Sequence, residues 1–313
     1  MDIAIMIEGQ NGLNWPRWKK LAAVVEGAGF AGLYRSDHFT NTSLPDLDSL
    51  ECWTSLGWLA DNTDRIDFGP LVSPVSFRHP AMLARMAASV DDLSGGRLQL
   101  GMGAGWQDRE HKNYSWDLLD VSGRMDRLEE ALEIVSHLLK SDEPLTFYGT
   151  YYNLHDAVLL PRPTRPGGPP ITIGGNGPKR TLPLVARYAS EWNAVFLTPE
   201  RFRERSARLD ELLERQGRAP GDVRRTMMTG LFFGRSAAEV EERMQSRGRT
   251  LQESRDLGLV IGEADDVIAQ LKALEAAGLE RVMLQWLDLD DTERLEEMAE
   301  LIPQTTRFPA PGR

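Results

Sequence analysis

The segment "GLYRSDHF", residues 32–39, places an acid and a base directly after an apolar run. Leu33 and Tyr34 are typical of a strand, whereas Asp37 and His38 are costly to bury unless they are paired. An imidazole with an ordinary pKa of about 6.5 can accept or release a proton near neutral pH. Asp37 and His38 are therefore either a structural corner, in which the carboxylate orients the imidazole or caps a helix, or part of a catalytic site.

A second candidate site is the glycine-rich segment "ITIGGNGPKR", residues 171–180. A short strand is followed by four loop residues, Gly174, Gly175, Asn176 and Gly177. Pro178 then stands at a suitable first helical position. Backbone N–H groups in such a loop can bind a phosphate, and Lys179 and Arg180 add positive charge nearby. The segment predicts either a site for a phosphorylated ligand or a tight glycine turn.

A third candidate is "GMGAGW", residues 101–106, which follows the strand "RLQL". It matches only the beginning of a dinucleotide-binding fingerprint, because it lacks Gly or Ala at the sixth position and leads into a polar segment. A dinucleotide-binding fold is therefore only weakly supported. The glycines of this segment, among them Gly103 and Gly105, bring backbone close to the barrel axis and leave room for a flat ring system.

The elements that position these residues alternate regularly along the chain. Eight strand candidates lie at 2–8, 31–35, 65–72, 97–103, 170–174, 191–196, 224–233 and 280–286. Helical patterns separate most of them, at 15–28, 49–62, 80–93, 122–140, 178–189, 199–216 and 264–277. This order predicts a (β/α)8 TIM barrel, with a doubly wound open sheet as the alternative. Barrel enzymes carry their chemistry where the strands end, which is where all three candidate sites lie.

We expect a single domain over residues 1–303. The stretch 141–169 is too long and too rich in β-forming residues for a bare connection, so it predicts an insertion with a hairpin. The final segment "QTTRFPAPGR", residues 304–313, is typical of a flexible tail.

The composition excludes several functional classes. The 313 residues include 36 Lys and Arg against 47 Asp and Glu, a formal net charge of -11, which argues against a nucleic-acid-binding surface. Cys52 is the only cysteine, and the five histidines have no zinc-ligand spacing, so no metal site is expected. No basic leader or apolar run of about 20 residues is present, so we expect a cytoplasmic protein without membrane association.

Four segments together carry a family resemblance. They are "YRSDHF", the stretch from "GPLVSPVSFRHP" to "GMGAGWQDREH", "GRMDRLEEALEIV" and "ITIGGNGPKRTLPLVARYASEWN". They resemble the luciferase-like (LLM class) flavin and deazaflavin superfamily, and within it the coenzyme F420-dependent oxidoreductases, over roughly residues 2 to 303. The resemblance implies a (β/α)8 barrel with insertions, a cofactor across its C-terminal mouth, a small-molecule substrate and a homodimer.

The resemblance also implies roles for individual residues. His38 would lie near the ring carbon that exchanges hydride, and Asp37 would hydrogen-bond the ring or orient the imidazole. The family has a bulge after its third strand with a non-prolyl cis peptide behind the ring, matched here by Leu71–Val72; the Ser73–Pro74 bond is the alternative cis candidate. The expected catalytic residues are His38 and Asp37. The expected cofactor-binding residues are Asp37, Leu71, Val72, Ser73, Gly103, Ala104, Gly105, Trp106, Gly174, Gly175, Asn176 and Gly177.

One residue departs from part of the family. Some sugar-phosphate dehydrogenases of the family have a catalytic Glu directly after the Gly-x-Gly-x-Gly stretch, where this chain has Trp106. Glu110 lies four residues later and does not simply inherit that role; with His111 it is expected to fix the 104–121 loop. The departure argues against glucose-6-phosphate dehydrogenase activity and indicates an apolar or aromatic substrate pocket, unless Trp106 is ordinary packing.

Three functions remain open. The first is an oxidoreductase that transfers a hydride between coenzyme F420 and a small organic substrate. The second is an FMN-dependent monooxygenase of the same superfamily. A deazaflavin has carbon where flavin has N5, so it favours hydride transfer and reacts poorly with oxygen. The third is a phosphate-binding barrel isomerase or lyase without a redox cofactor, which leaves the Asp37–His38 and Gly-x-Gly-x-Gly segments unexplained.

Overall fold

Twelve strands are found in the part of the chain that the structure, a computed structural model, describes: residues 1–245 and 248–301. They are β1 (Asp2–Ile7), β2 (Gly32–Arg35), β3 (Asp67–Pro70), β4 (Ser73–Pro74), β5 (Leu100–Gly103), β6 (Leu145–Tyr148), β7 (Asn153–Ala157), β8 (Ile171–Gly174), β9 (Glu191–Val195), β10 (Arg224–Phe233), β11 (Val260–Gly262) and β12 (Arg281–Gln285). Nine of them form a nearly closed parallel barrel in the order β3-β2-β1-β12-β10-β9-β8-β5-β4, and β11 pairs with β10. The predicted barrel and its eight strands are confirmed.

A bulge explains why nine strands occupy eight positions of the barrel. β3 pairs with β2 on one side, and its Phe68 forms a bridge with Leu98 on the other. β4 then pairs with β5 through Ser73 and Met102. β3 and β4 are therefore two parts of one barrel position, separated by Leu71 and Val72. The peptide bond between Leu71 and Val72 is cis, as the resemblance implied.

The helices are α1 (Trp15–Gly27), α2 (Cys52–Asn62), α3 (Pro80–Leu93), α4 (Asp108–Asn113), α5 (Val121–Lys140), α6 (Thr181–Tyr188), α7 (Pro199–Arg215), α8 (Ala237–Gln245), α9 (Leu251–Asp256), α10 (Ala264–Ala276) and α11 (Thr292–Leu301). The seven predicted helices are all present. Several begin at a polar cap: the side chains of Asn14, Asp120 and Thr198 accept hydrogen bonds from Arg17, Gly123 and Arg201 amides.

One predicted helix start was wrong. The pattern placed Pro178 at the first position of a helix, whereas residues 178–180 form a turn and α6 begins at Thr181. The amide of Leu182 donates to the carbonyl of Gly177, so the glycine loop continues into the turn before the helix starts.

The alternation of side chains along β1 separates two layers. Ala4 and Met6 lie in a small cluster with Tyr34 and Met283 inside the barrel. Ile3, Ile5 and Ile7 belong to the large core that includes residues of the surrounding helices. Since neighbouring residues of a strand point to opposite faces, one strand supplies both the barrel interior and the contact with the helices.

Charged residues close the N-terminal end of the barrel. Arg281 Nη2 donates to Asp67 Oδ2 at 2.5 Å and to Asp2 Oδ2 at 3.3 Å, and Arg281 Nη1 hydrogen-bonds the Tyr34 hydroxyl. Glu191 lies nearby, and burial raises the pKa of its carboxyl group. These residues begin or lie within the strands and pair with one another, so this end of the barrel is filled and the opposite end is left for a binding site.

Outside the barrel, β6 and β7 form an antiparallel two-stranded sheet within 141–169, where the sequence predicted a hairpin. The predicted tail, 304–313, lies outside the described residues. Within the described ranges, no helix has the length and apolar character needed to cross a bilayer, and no three His, Cys, Asp or Glu side chains are grouped to hold a metal ion.

Candidate active site

A cleft of about 660 Å³ opens at the C-terminal ends of the barrel strands. Its floor is formed by Met6, which belongs to the cluster inside the barrel, and by Leu71 and Met228, which pack against that cluster. Its walls come from the segments after β1, β2, β5, β8 and β9. A cleft of this volume at this end of a barrel is typical of a site for an organic ligand.

His38 lines this cleft and forms a pair with Glu110 of α4. His38 Nδ1 lies 2.8 Å from Glu110 Oε1, and Glu110 Oε2 accepts the Phe39 amide at 3.1 Å. A carboxylate only accepts hydrogen bonds, so Nδ1 carries a proton. His38 Nε2 has no partner among the described residues. The neutral imidazole therefore offers Nε2 to the cleft as a proton acceptor.

The pKa of His38 is raised above its ordinary value of 6.5. Burial of the ring would by itself lower this pKa, but the hydrogen bond and negative charge of Glu110 outweigh it, with smaller contributions from Glu8 and Asp37. The pair therefore holds a proton more tightly than a free imidazole, which is useful for a group that both gives and accepts one near neutral pH.

Three consecutive residues attach α4 to the rest of the site. Arg109 donates two hydrogen bonds to Asp46 at 2.7 Å, and Glu110 binds His38. His111 Nδ1 donates to the Gln107 carbonyl at 2.7 Å, and His111 Nε2 hydrogen-bonds the Ser76 hydroxyl at 2.8 Å. The expectation that Glu110 and His111 fix this loop was incomplete, because Glu110 also contacts the candidate catalytic histidine.

The structure places Asp37 outside the cleft lining. Its side chain is buried behind the wall, where Oδ2 accepts from Ser73 at 2.7 Å and from Arg78 at 2.5 Å, and Oδ1 accepts from Arg78 at 3.3 Å. Ser73 in turn accepts from the indole of Trp53. Asp37 therefore does not orient the imidazole through a hydrogen bond; that contact is made by Glu110. Ser73 likewise lies behind the lining.

Leu71 and Val72 of the bulge line the cleft, as do all four residues from Gly103 to Trp106. Glycine is required where β5 approaches the bulge. A Cβ atom on Gly103 would lie 2.4 Å from a methyl group of Val72, and one on Gly101 would lie 2.0 Å from the Pro70 carbonyl oxygen. These glycines therefore let β5 pack against the bulge and leave the apolar Leu71–Val72 surface open to the cleft.

Trp106 lies at the rim of the cleft and is 60% exposed. Its ring meets the His38 ring edge to face, with centroids 5.6 Å apart and planes at 85°. A side chain this exposed is not part of the core. Its indole is therefore available to a bound ligand.

The glycine loop divides into lining and supporting residues. Gly174 and Gly175 line the cleft, whereas Asn176 and Gly177 do not. The Asn176 side chain donates to the Val195 carbonyl at 2.7 Å and accepts the Val195 amide at 3.0 Å, so it pairs with β9 as a strand would. The Gly175 amide donates to the Asn193 carbonyl and is not free for a ligand.

Some donors of this loop remain available. In the described chain, the amides of Asn176, Gly177 and Thr181 donate to no other group, and neither does the Thr181 hydroxyl, which lines the cleft. Lys179 is exposed, and Arg180 pairs with Asp126 at 2.5 Å. Unsatisfied amides at a helix start are the arrangement that binds phosphate oxygens.

Polar residues that sequence analysis missed form a chain along the cleft wall. The Ser36 hydroxyl donates to Gln10 at 2.7 Å, Gln10 donates to Glu8 Oε2 at 3.0 Å, and Gln285 donates to Glu8 Oε1 at 2.7 Å. Glu8 follows β1 as His38 follows β2. Its position at the end of a strand could therefore have identified it from the sequence as a candidate site residue.

Comparisons with known proteins agree with this architecture. Residues 1–257 match a family described as luciferase-like monooxygenase. An F420-dependent glucose-6-phosphate dehydrogenase from Kineococcus radiotolerans is 30% identical over 228 residues, 71% of this chain and 65% of that protein. The 4-hydroxyprotoasukamycin monooxygenase from Streptomyces nodosus subsp. asukaensis is 30% identical over 191 residues, 60% of this chain and 48% of that protein. The chain thus spans about half to two thirds of these curated relatives.

Among solved structures, an F420-dependent secondary alcohol dehydrogenase in complex with an F420-acetone adduct has a TM-score of 0.85, with 97% of this chain and 99% of that chain covered. Its sequence identity is 19%, so this similarity supports the fold alone. The homologues are enzymes and include both F420-dependent dehydrogenases and monooxygenases. Because the family match covers more than half of the sequence, the chain belongs to the luciferase-like monooxygenase family.

Proposed function

We propose that this protein is an oxidoreductase that transfers a hydride between coenzyme F420 and a small organic substrate. The observation that carries the proposal is the His38–Glu110 pair: His38 lines a cleft of suitable volume, and its Nε2 has no partner among the described residues. When bound, coenzyme F420 supplies a ring carbon that accepts or donates a hydride. In the direction of alcohol oxidation, His38 Nε2 accepts the hydroxyl proton; in carbonyl reduction it returns that proton to the oxygen.

The residues present fit such a cofactor. Leu71 and Val72 offer an apolar surface for a flat ring. The free amides of Asn176 and Gly177, with the Thr181 hydroxyl, would bind a phosphate group. Lys179 adds a cation near the same loop and outside the cleft lining. The loop adjoins the bulge, because a Cβ atom on Gly174 would lie 3.4 Å from a methyl group of Val72, so one ligand could contact both.

A second candidate is an FMN-dependent monooxygenase, which the relative from Streptomyces nodosus supports at the same 30% identity. Both cofactors carry a flat ring and a phosphate, so the cleft shape suits either. The proton-handling pair favours the dehydrogenase, because hydride transfer to or from an alcohol carbon requires a partner for the oxygen-bound proton, and His38 is placed to be that partner.

The experiment that tests the proposal is a direct titration of the purified protein with coenzyme F420 and, separately, with FMN, followed by cofactor fluorescence. Micromolar binding of F420 with binding of FMN at least tenfold weaker supports it. The opposite preference would replace it with the monooxygenase, and binding of neither would remove both. A His38→Ala variant should bind F420 within a few fold of wild type and turn over roughly 10²- to 10⁴-fold more slowly.

A further inference from the structure

The charges that line the cleft are unevenly distributed. Among the described residues of the lining, the ionisable side chains are Glu8 and His38, and no Lys or Arg is present. The remaining polar groups are uncharged amides and hydroxyls, including those of Gln10, Asn41 and Thr42. Apart from the helix-start amides proposed above for the cofactor phosphate, a site for a phosphate or carboxylate group of a substrate normally presents Arg or Lys to it. This lining presents a carboxylate instead.

The arginines around the cleft are engaged elsewhere. Arg78 binds Asp37 and Glu51 behind the wall, and Arg109 binds Asp46. Arg124 comes close, because its Nη1 donates to the Gly105 carbonyl at 3.3 Å, but its side chain does not line the cleft. Arg78 and Arg109 are therefore paired with carboxylates outside the cleft lining.

Glu8 is fixed in the lining. Gln10 and Gln285 donate to its two oxygens at 3.0 and 2.7 Å, which holds the carboxylate in place. Its charge acts at His38, where it contributes to the raised pKa. An anionic group of a substrate that reached His38 would come close to this carboxylate, and like charges in a partly desolvated site repel strongly.

The cleft lining also contains an exposed apolar surface. Trp106 is 60% exposed beside His38. Phe196, Val195 and Met228 add further apolar surface. Exposed aromatic surface beside a catalytic group is covered favourably by an apolar substituent of the substrate, because that removes both surfaces from water.

We propose that the substrate is an uncharged alcohol or carbonyl compound with an apolar or aromatic substituent, and that Trp106 and Glu8 together select it over phosphorylated and carboxylated compounds. This inference rests on the proposed function. In oxidation, the carbinol C–H bond breaks and its hydride goes to the deazaflavin, which is reduced by two electrons. The hydroxyl proton goes to His38 Nε2, and the C=O bond forms.

The test compares two ketones of similar shape, 5-methyl-2-hexanone and 4-oxopentanoate, which differ in an isopropyl group against a carboxylate. Their affinities for the F420-loaded and cofactor-free protein are measured by calorimetry or ligand-observed NMR, which does not depend on turnover. We expect the neutral ketone to bind at least tenfold more tightly. Added salt should reduce this preference, because it screens the repulsion from Glu8.

Two variants assign the preference to residues. Trp106→Ala should weaken binding of the neutral ketone about tenfold, and Glu8→Gln should strengthen binding of 4-oxopentanoate several fold relative to binding of the neutral ketone. Tyr148→Ala is the matched control, since Tyr148 is 70% exposed on β6 and lies outside the cleft lining. It should bind both ketones as wild type does.

Equal or tighter binding of 4-oxopentanoate by the wild-type protein overturns the inference, and so does unchanged binding of the neutral ketone by Trp106→Ala. The F420 titration of the same preparations separates this failure from failure of the proposed function. If F420 binds and the anionic ketone is preferred, only the substrate class is wrong; if F420 does not bind, the proposed function itself is wrong.

Discussion

Replacing Glu110 by Gln changes one atom of the side chain that hydrogen-bonds His38. Two donors point at the Glu110 carboxylate: His38 Nδ1–H at 2.8 Å and the Phe39 amide at 3.1 Å. These donors face different oxygens of the carboxylate, and a glutamine side chain has an oxygen at only one of the two places, so it satisfies only one of them in this geometry. If that oxygen accepts the Phe39 amide, the NH₂ group faces Nδ1 and favours the tautomer with the proton on Nε2. His38 then has no acceptor in the cleft.

We therefore expect Glu110→Gln to lower kcat for alcohol oxidation roughly 10²- to 10⁴-fold, the range for loss of a general base or of its correct tautomer. This corresponds to about 3 to 5 kcal/mol of transition-state stabilisation. The variant should also shift the pH profile. The pKa of His38 falls, because burial continues to oppose protonation and the opposing charge of Glu110 is gone. Since the neutral imidazole is the base, the rise of activity with pH moves to lower pH.

The assay follows cofactor reduction with a saturating alcohol across the neutral pH range, together with cofactor affinity measured by titration. Glu130→Gln is the control, because the Glu130 carboxylate also accepts backbone amides, those of Thr150 and Tyr151, but lies outside the cleft lining. It should keep wild-type turnover per folded molecule. Wild-type turnover of Glu110→Gln, with the acidic limb of its profile unmoved, would refute the assigned role of Glu110.

Three further outcomes are expected. Gly175→Val should weaken cofactor binding more than tenfold, because Gly175 has φ +119° and lines the cleft. The control Gly278→Val, at φ +92° in open space, should lower only stability. Equal cofactor affinities of the two variants, measured by titration, would show that the loop is not part of the site. Asp37→Ala should lower the free energy of unfolding by about 3 kcal/mol in urea, because it leaves Arg78 without its buried partner, while cofactor affinity stays within a few fold; a loss confined to affinity would contradict this. Because the pKa of His38 is raised in the folded state, protonation of His38 stabilises the fold. This stabilisation is complete below pH 6.5 and is lost as the pH rises through the folded-state pKa. The difference in unfolding free energy between wild type and His38→Gln, measured in denaturation series, should therefore shrink above the folded-state pKa.

The sequence was sufficient to predict the strands and their ends, because eight apolar segments alternate with amphipathic helical patterns at spacings that a barrel requires. It could not predict which of two neighbouring polar residues reaches the cleft. Asp37 and His38 are consecutive, and their side chains leave the backbone in different directions, one into the wall and the other into the cleft. Only the packed neighbours, Arg78 on one side and Glu110 on the other, decide between them.

Contacts between distant loops were the other missing information. Glu110 lies 72 residues after His38, in a six-residue polar helix with little periodicity. Nothing local to "DREHKN" indicates which of its charged side chains turns inward. For Asn176 the sequence suggested a binding role that its side chain does not fill. Its place in a glycine loop suggested ligand binding, whereas its side-chain amide hydrogen-bonds the backbone of Val195.

The distribution of the site over the ring of strands has a consequence for folding. His38, Glu110 and the Leu71–Val72 bulge all belong to the stretch from β1 to α4, whereas the Gly174–Gly177 loop belongs to the later stretch that contributes β8 to β12. The two stretches meet at two seams, β1 with β12 and β5 with β8. During synthesis, the contact between His38 and Glu110 can therefore form before the Gly174–Gly177 loop has been made. A ligand that contacts both stretches binds only the closed ring, so at saturation it should slow global unfolding and protect the amides of both seams from hydrogen exchange.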